Sequence, residues 1–267
     1  MSTIANFFAF AESLLSMSFK DHFSQQADAY AKYRPHYPRA LFEYLASLPP
    51  AHDTAWDCAT GNGQAALGLA PHFAAVIATD ASAQQITQAL PHEKIAYQVA
   101  PAERTNIPPH SVDLITVAQA LHWFHFEEFY AEAKRVLEPA GVIAAWCYNL
   151  LRCVPEIDHL LDEFYFETVG PFWPPERKLL EEHYQNISFP FDEITSPDFF
   201  MTAAWNLEDL IGYLGTWSAT QRFIARKKAD PRIDLRVQLQ KVWREPEELK
   251  RIIWPLYLRA GRLRAGE

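Results

Sequence analysis

The chain has 267 residues, 49% of them apolar, and carries 24 Lys and Arg against 33 Asp and Glu for a formal net charge of −9. That length and apolar content can bury one large core plus an elaboration. The acidic balance argues against a nucleic-acid partner, which needs clustered lysine and arginine to neutralise phosphates.

In chain order, the first nineteen residues are apolar but contain Glu12 and no Lys or Arg before Lys20, which suits neither a secretory signal nor a membrane span. Ile4, Phe7, Phe8, Ala11, Leu14 and Leu15 follow helical spacing and predict a packed helical extension. A membrane-surface helix would need a basic face that is missing, and an extension upstream of a start at Met17 is the other alternative. Phe23, Ala27, Tyr30 and Ala31 make a second apolar stripe, and Pro35 and Pro38 end that helix and open the next. Leu41, Phe42, Leu45 and Leu48 give the next helix its apolar face. Tyr30 and Tyr33 could pack or offer ring faces to a cation. Arg34 and Arg39 could receive an acidic ligand or be paired in solvent.

From about 51 to 148 short apolar runs alternate with helical segments, the pattern of a parallel sheet covered on both faces. The first such run ends in Asp57, and Gly61-Asn62-Gly63 then leads into an apolar helix of Ala65, Ala66, Leu67 and Leu69. A strand turning through glycines into a helix lets a ligand approach the backbone and meet unpaired N–H groups. The next run, 74–79, ends in Asp80, where a carboxylate suits the hydroxyls of a ribose. The spacing matches the dinucleotide fingerprint formally, but a carboxylate at Asp57 would repel a pyrophosphate and attract a cationic ligand. Further runs follow at Ile95–Val99, 111–117 and 142–146, with His122 and His125 after the fourth.

Beyond Tyr148 the pattern changes, with helix-like segments near 156–168, 206–214 and 232–244, extended runs near 187–194 and 199–205, and prolines at 171–175. Residues 251–260 predict a last strand. Trp205 and Trp217 either wall a ligand or pack this region. The expected organisation is one domain, with 1–50 as helical extension and lid, 51–149 as cofactor-binding core, 150–248 as a substrate-side insertion and 249–267 as last strand and tail.

Read together, Asp57-Cys-Ala-Thr-Gly-Asn-Gly63, Ala102-Glu103, Ala118 to Phe124, Arg135 to Gly141 and the helix at 23–33 resemble, in order, the class I S-adenosylmethionine (AdoMet)-dependent methyltransferases of the type 11 branch. Gly212 to Ser218 and Ile252 to Leu258 are similar to the bacterial and fungal group that includes trans-aconitate methyltransferase-like proteins. Ala59 departs from the family pattern, which has glycine there. The resemblance implies a Rossmann-like, doubly wound, mostly parallel α/β sheet of seven strands whose last strand is antiparallel. It implies AdoMet as cofactor, with contacts at Asp57, Ala59, Gly61, Gly63, Gln64, Asp80, Ala102, Glu103 and Gln119. It also implies a small-molecule methyl acceptor, with a carboxylate or other oxygen in view, and a cytoplasmic setting.

Methyl transfer from a sulfonium is an in-line displacement with a neutral leaving group, so it rests mainly on alignment. A base is needed only when the acceptor carries a proton. His122 could be that base, or orient the acceptor, or simply pack beside Trp123. Tyr30, Tyr33, Arg34, Trp123 and Trp217 are the candidate acceptor-lining residues. No metal is expected: the histidine pair lacks a third ligand, and the three cysteines, Cys58, Cys147 and Cys153, show no ligand spacing. Cys58 and Cys147 fall in predicted buried strands as small core residues. Two alternatives stay open, a nicotinamide-dependent oxidoreductase and a catalytically silent AdoMet-binding relative. Oligomeric state cannot be read.

Overall fold

The computed structural model describes residues 35–263, so the predicted extension at 1–16 and the lid helix at 23–33, with Tyr30, Tyr33 and Arg34, lie outside the described residues. Helix α1 (Arg39–Ala46) opens the described chain and buries Leu41, Phe42 and Leu45. Arg39 on its outer face pairs with Glu43 at 2.6 Å, one turn away in solvent.

Five parallel strands follow: β1 (Thr54–Cys58), β2 (Ala75–Asp80), β3 (Ile95–Val99), β4 (Val112–Ala118) and β5 (Leu137–Tyr148). Helices α2 (Gln64–Leu69), α3 (Ala83–Thr87) and α4 (Phe126–Val136) lie among them in the chain. β1 is buried from Ala55 to Cys58 and β4 from Val112 to Val117. Such unbroken burial, with no alternation, is what a strand covered on both faces requires. Strand β5 is longer than the run expected at 142–146: it starts at Leu137 and takes in residues 138–141, with a register shift against β4 between Val112 and Leu114.

After β5 come α5 (Pro155–Glu163), α6 (Arg177–Glu181), β6 (Asp192–Ile194), β7 (Phe199–Trp205), α7 (Leu207–Gly215), α8 (Ser218–Lys227), α9 (Arg232–Trp243) and β8 (Lys250–Arg262). The sheet order is β3-β2-β1-β4-β5-β8-β6, with β7 also pairing β8. β8 runs antiparallel to β5 from Leu256 to Arg262, and its other edge holds β6 and β7 end to end. The expected doubly wound sheet with an antiparallel last strand is therefore present, closed at one edge by a split outer strand.

Two apolar layers sandwich the sheet. One joins α1, α2 and the alternate residues of β5 to the helices after Leu150, reaching Leu239 and Trp243 in α9. The other packs α4 and the 180–191 segment against Trp56, Ile115 and Ile143. Cys58 and Cys147 are free and buried, as their strands predict. No helix among the described residues is long and apolar enough to cross a membrane.

Candidate functional site

All five parallel strands end at one sheet edge, and the predicted ligand residues gather there. Between β1 and α2 the backbone is left-handed at alternate positions: Ala59 (φ 54), Gly61 (φ 58) and Gly63 (φ 88). A residue with a Cβ resists that region, which is why glycine suits 61 and 63. At Gly63 there is a second reason, since a Cβ there would overlap the Tyr97 hydroxyl and sit 3.0 Å from its ring carbons.

Two carboxylates hold this loop. Asp80, at the end of β2, accepts from the Gly61 N–H and the Ser82 N–H, each at 2.8 Å. It thus joins the β1 and β2 turns at the strand edge where a ribose would meet them. Asp57 is fully buried, and its oxygens accept from Thr60 Oγ1 at 2.5 Å and Thr116 Oγ1 at 2.9 Å. Burial raises its pKa to about 6 against the pull of those hydroxyls. Asp57 therefore sits behind the loop and braces it.

The remaining predicted contacts border the same edge. The Gln64 amide donates to the Pro35 carbonyl at 3.1 Å and lies 3.2 Å from His36 Nδ1, tying the start of α2 to the incoming chain. Ala102 is buried, and Glu103 accepts from the His125 N–H at 3.0 Å, clamping the turn before α4. Gln119 is left-handed (φ 59), and its amide exchanges two hydrogen bonds with the Tyr148 backbone, at 2.8 and 3.0 Å. It acts as a false strand residue that ties the end of β4 to the end of β5.

His122 stands in the turn Leu121–Trp123 with its ring 4.7 Å from that of Trp123. Its Nδ1 lies 2.9 Å from the Tyr184 hydroxyl, close enough for Tyr184 to donate to that nitrogen and leave the ring proton on Nε2. Burial, helped by the Arg177 charge, lowers the His122 pKa to about 3, so the ring is neutral and a weak base. Tyr184 reaches it from a backbone left-handed at both His183 (φ 55) and Tyr184 (φ 61), a strained pair that aims the phenol inward.

Beyond β5 the sequence reading missed a whole cluster. Arg177, at the start of α6, donates from Nε to the Tyr165 hydroxyl at 2.8 Å and from Nη2 to Asn149 Oδ1 at 2.9 Å. Its guanidinium lies 4.4 Å from the Trp173 ring centroid. Tyr165 in turn donates to Glu181 at 2.8 Å. These residues sit in short or irregular segments with no periodicity to announce them, and only the proline cluster at 171–175 signalled a turn nearby. Trp217, a predicted lining residue, is buried against Phe164, Tyr165, Trp173 and Tyr213, so it packs this cluster from behind. Trp205 packs on Trp254 and Tyr213 at the sheet edge. Among the described residues no group of three His, Cys, Asp or Glu is placed to hold a metal ion.

A glycine-containing loop locked to a carboxylate at the next strand end defines an α/β enzyme that takes a nucleoside cofactor. Comparison with known proteins identifies which. Residues 56–145 match the methyltransferase domain family of type 11. A Dictyostelium discoideum protein named as a methyltransferase is 32% identical over 247 residues, covering 90% of this chain and 94% of that one. A solved structure described as a type II methyltransferase from Anaeromyxobacter dehalogenans shares 45% identity at a TM-score of 0.82, over 86% of this chain and 98% of that one. A Saccharomyces cerevisiae protein named as an S-adenosylmethionine-dependent methyltransferase is 30% identical over 45% of this chain. The chain belongs to the class I AdoMet-dependent methyltransferases, type 11 branch, and its cofactor is AdoMet. The nicotinamide alternative is set aside.

Proposed function

We propose that this enzyme methylates a small molecule on an oxygen, a carboxylate being the acceptor the site favours, and does so in a cytoplasmic setting as one domain whose 150–248 region covers the acceptor side. The observation that supports methyl donation is the loop at Ala59, Gly61 and Gly63, left-handed at each and hydrogen-bonded through the Gly61 N–H to Asp80.

The residues fit the cofactor's parts. The glycine turn removes side chains where the ligand would approach, and the N-terminus of α2 lies beside it. Asp80 is the ribose acceptor in this reading, Ala102 and Glu103 border the adenine, and Gln119 shapes the floor between β4 and β5. Gln64 links the loop to the segment leading back to 23–33, the proposed lid carrying Tyr30, Tyr33 and Arg34. Asp57 supports cation binding from behind the loop, because a buried carboxylate is stabilised by an approaching positive charge. When bound, AdoMet supplies a methyl on a sulfonium, and the protein contributes alignment and exclusion of water.

His122, neutral with its proton on Nε2, is suited to orient an acceptor oxygen by donation more than to remove a proton. A carboxylate acceptor needs no base, which agrees with so weak a histidine. Trp123, its ring tilted 43° to that one, belongs to the same wall, whereas Trp217 backs the Tyr165–Trp173 cluster.

The test is calorimetric titration of AdoMet into wild type and Asp80→Ala. Losing hydrogen bonds to a charged acceptor costs roughly 1.5–3 kcal/mol, so the variant should bind roughly 10–100-fold more weakly. A folded variant that binds AdoMet as tightly as wild type would remove Asp80 from the ribose.

A further inference from the structure

We propose that Tyr184 and Arg259 are positioning residues for methyl transfer: Arg259 holds the turn that carries Tyr184, and the Tyr184 hydroxyl fixes His122 in the tautomer that presents Nε2–H to the acceptor oxygen. Both roles rest on the acceptor-side placement of His122 given above.

The tautomer follows from what each buried group can reach. Tyr184 is fully buried, and among the described residues the side-chain partner of its hydroxyl is His122 Nδ1, at 2.9 Å. A protonated Nδ1 would leave the phenol proton without an acceptor in the interior, where unpaired donors are rare. Leaving such a donor unpaired shifts an equilibrium by roughly 5–150-fold, so the state in which Tyr184 donates and Nδ1 accepts prevails. The neutral ring then carries its proton on Nε2. That nitrogen has no hydrogen-bond partner among the described residues, and it is not one of the side-chain atoms buried without a partner. It therefore reaches accessible space, and does so from the turn that follows β4, at the edge where the cofactor loop also lies.

Tyr184 holds that place against its own backbone. His183 (φ 55) and Tyr184 (φ 61) are consecutive left-handed residues, a conformation that persists only where the surroundings over-determine it. Strand β8 supplies those surroundings. Arg259 donates from Nη1 to the Tyr184 carbonyl at 2.8 Å and to the Ile187 carbonyl at 2.7 Å, closing the turn between them. Its Nη2 is fixed by Glu193 at 2.5 Å, and its guanidinium lies 4.6 Å from the Phe189 ring centroid. Two residues back on the same face of β8, the Tyr257 ring stacks on that of His183, with centroids 3.4 Å apart and an interplanar angle of 11°.

Sheet register ties this clamp to the histidine. Tyr257 lies opposite Cys147 and Arg259 opposite Ala145 in β5, and β5 pairs in turn with β4, whose end leads into His122. Phenol and imidazole are thus hung from neighbouring strands of one sheet, although 62 residues separate them in the chain. An arginine suits the clamp because its planar fork serves two carbonyls and a carboxylate at once, which a lysine ammonium does less rigidly. No proton leaves His122 in this arrangement. Nε2–H donates to one lone pair of the acceptor oxygen, and that contact aims a second lone pair at the methyl.

The experiment is long-range proton–nitrogen correlation of the imidazoles in nitrogen-15-labelled full-length protein at pH 7, with and without saturating S-adenosylhomocysteine. The His122 signals are those lost in His122→Asn. Wild type should show a neutral His122 protonated on Nε2, and S-adenosylhomocysteine should shift the Nε2 signal. Tyr184→Phe, which removes only the hydroxyl, should move the tautomer ratio toward Nδ1–H by at least roughly fivefold. Arg259→Met should move it in the same direction, and Arg259→Lys should restore part of the wild-type ratio. Arg135→Met, which breaks the ion pair with Glu132 on α4 instead, should leave the ratio unchanged. Binding of S-adenosylhomocysteine should persist in every variant, which shows that each is folded. A wild-type His122 protonated on Nδ1, an unchanged ratio in Tyr184→Phe or Arg259→Met, or the same change in Arg135→Met would overturn the proposal. A wild-type tautomer as expected, with no shift on adding S-adenosylhomocysteine, would instead strike the acceptor-side placement of His122 and leave its contact with Tyr184 standing.

Discussion

Ala59 shows how one methyl can sit against a family pattern and still fold. It is left-handed at φ 54, where most residues cost about 1–2 kcal/mol relative to glycine. Glycine would relieve that strain but add about 0.5–1 kcal/mol of chain entropy and lose a methyl packed against the apolar layer under α4. The terms nearly cancel, so Ala59→Gly should stay within about 0.5 kcal/mol of wild type in denaturant titration. Ala59→Val, branched at Cβ, should cost about 1 kcal/mol more than Ala59→Gly. Equal stability of the two variants would show that the backbone is not strained there. Asp57 carries a different signature. Its pKa is raised from 3.8 to about 6, so between those values the folded protein keeps a proton that the unfolded chain has released. The stability it contributes is complete below pH 3.8 and is lost as pH rises to about 6, on the order of 3 kcal/mol. Asp57→Asn should lack this slope. Unfolding free energies of both proteins at pH 4 and pH 7 measure it, and parallel behaviour would mean that Asp57 ionises normally.

At the scale of elements, β8 is where the fold is least forgiving. It pairs with β5 on one side and with β6 and β7 on the other, so its residues have neighbours at both edges. Gly261 shows the closeness: a Cβ there would lie 2.8 Å from both Phe189 Cε1 and Phe191 Cβ. Gly261→Ala should destabilise by about 1–3 kcal/mol, the usual cost of overpacking. That corresponds to a fall of roughly 2–4 °C in melting temperature per kcal/mol. A melting temperature equal to wild type would mean the Phe189–Phe191 turn moves freely. Elements also separate what periodicity reveals from what it hides. The helices at 155–163, 207–215 and 232–243 carry apolar faces and fall where the pattern predicted them. α8 (Ser218–Lys227) escaped prediction because it buries only Ala219 and Thr220, too little to leave an apolar stripe.

At the scale of the molecule, the two apolar layers are unequal in reach. The layer under α4 ends with the parallel strands and the 180–191 segment. The other passes without a break from α1 and α2 through Trp146 to Leu239 and Trp243. The 150–243 segments thereby share apolar surface with the sheet whose edge carries the site. This continuity lets an arginine in a five-residue helix stand in a fixed relation to the end of β5. It also explains why the cluster around Arg177 is built from Asn149, Tyr165, Trp173 and Glu181, residues up to 32 positions apart in the chain.

The sequence by itself determined the sheet, its direction and its ligand loop. Short unbroken apolar runs between turn residues suit strands covered on both faces, glycines mark left-handed backbone, and a carboxylate ending the second strand meets that turn by topology. These are local signals, readable because each depends on residues within a few positions of one another. Only the tertiary structure decided what the side chains do. It turned Asp57 into a brace behind the loop, closed the Gln119 amide onto Tyr148, and set the His122 ring against the Tyr184 hydroxyl in a buried site that favours its neutral form. It also brought Arg177 to the mouth of β5 with no acidic partner among the described residues. The physical reason is common to all four. Charge state and hydrogen-bond partner depend on desolvation and on groups distant in the chain, and neither is encoded in a residue's near neighbours.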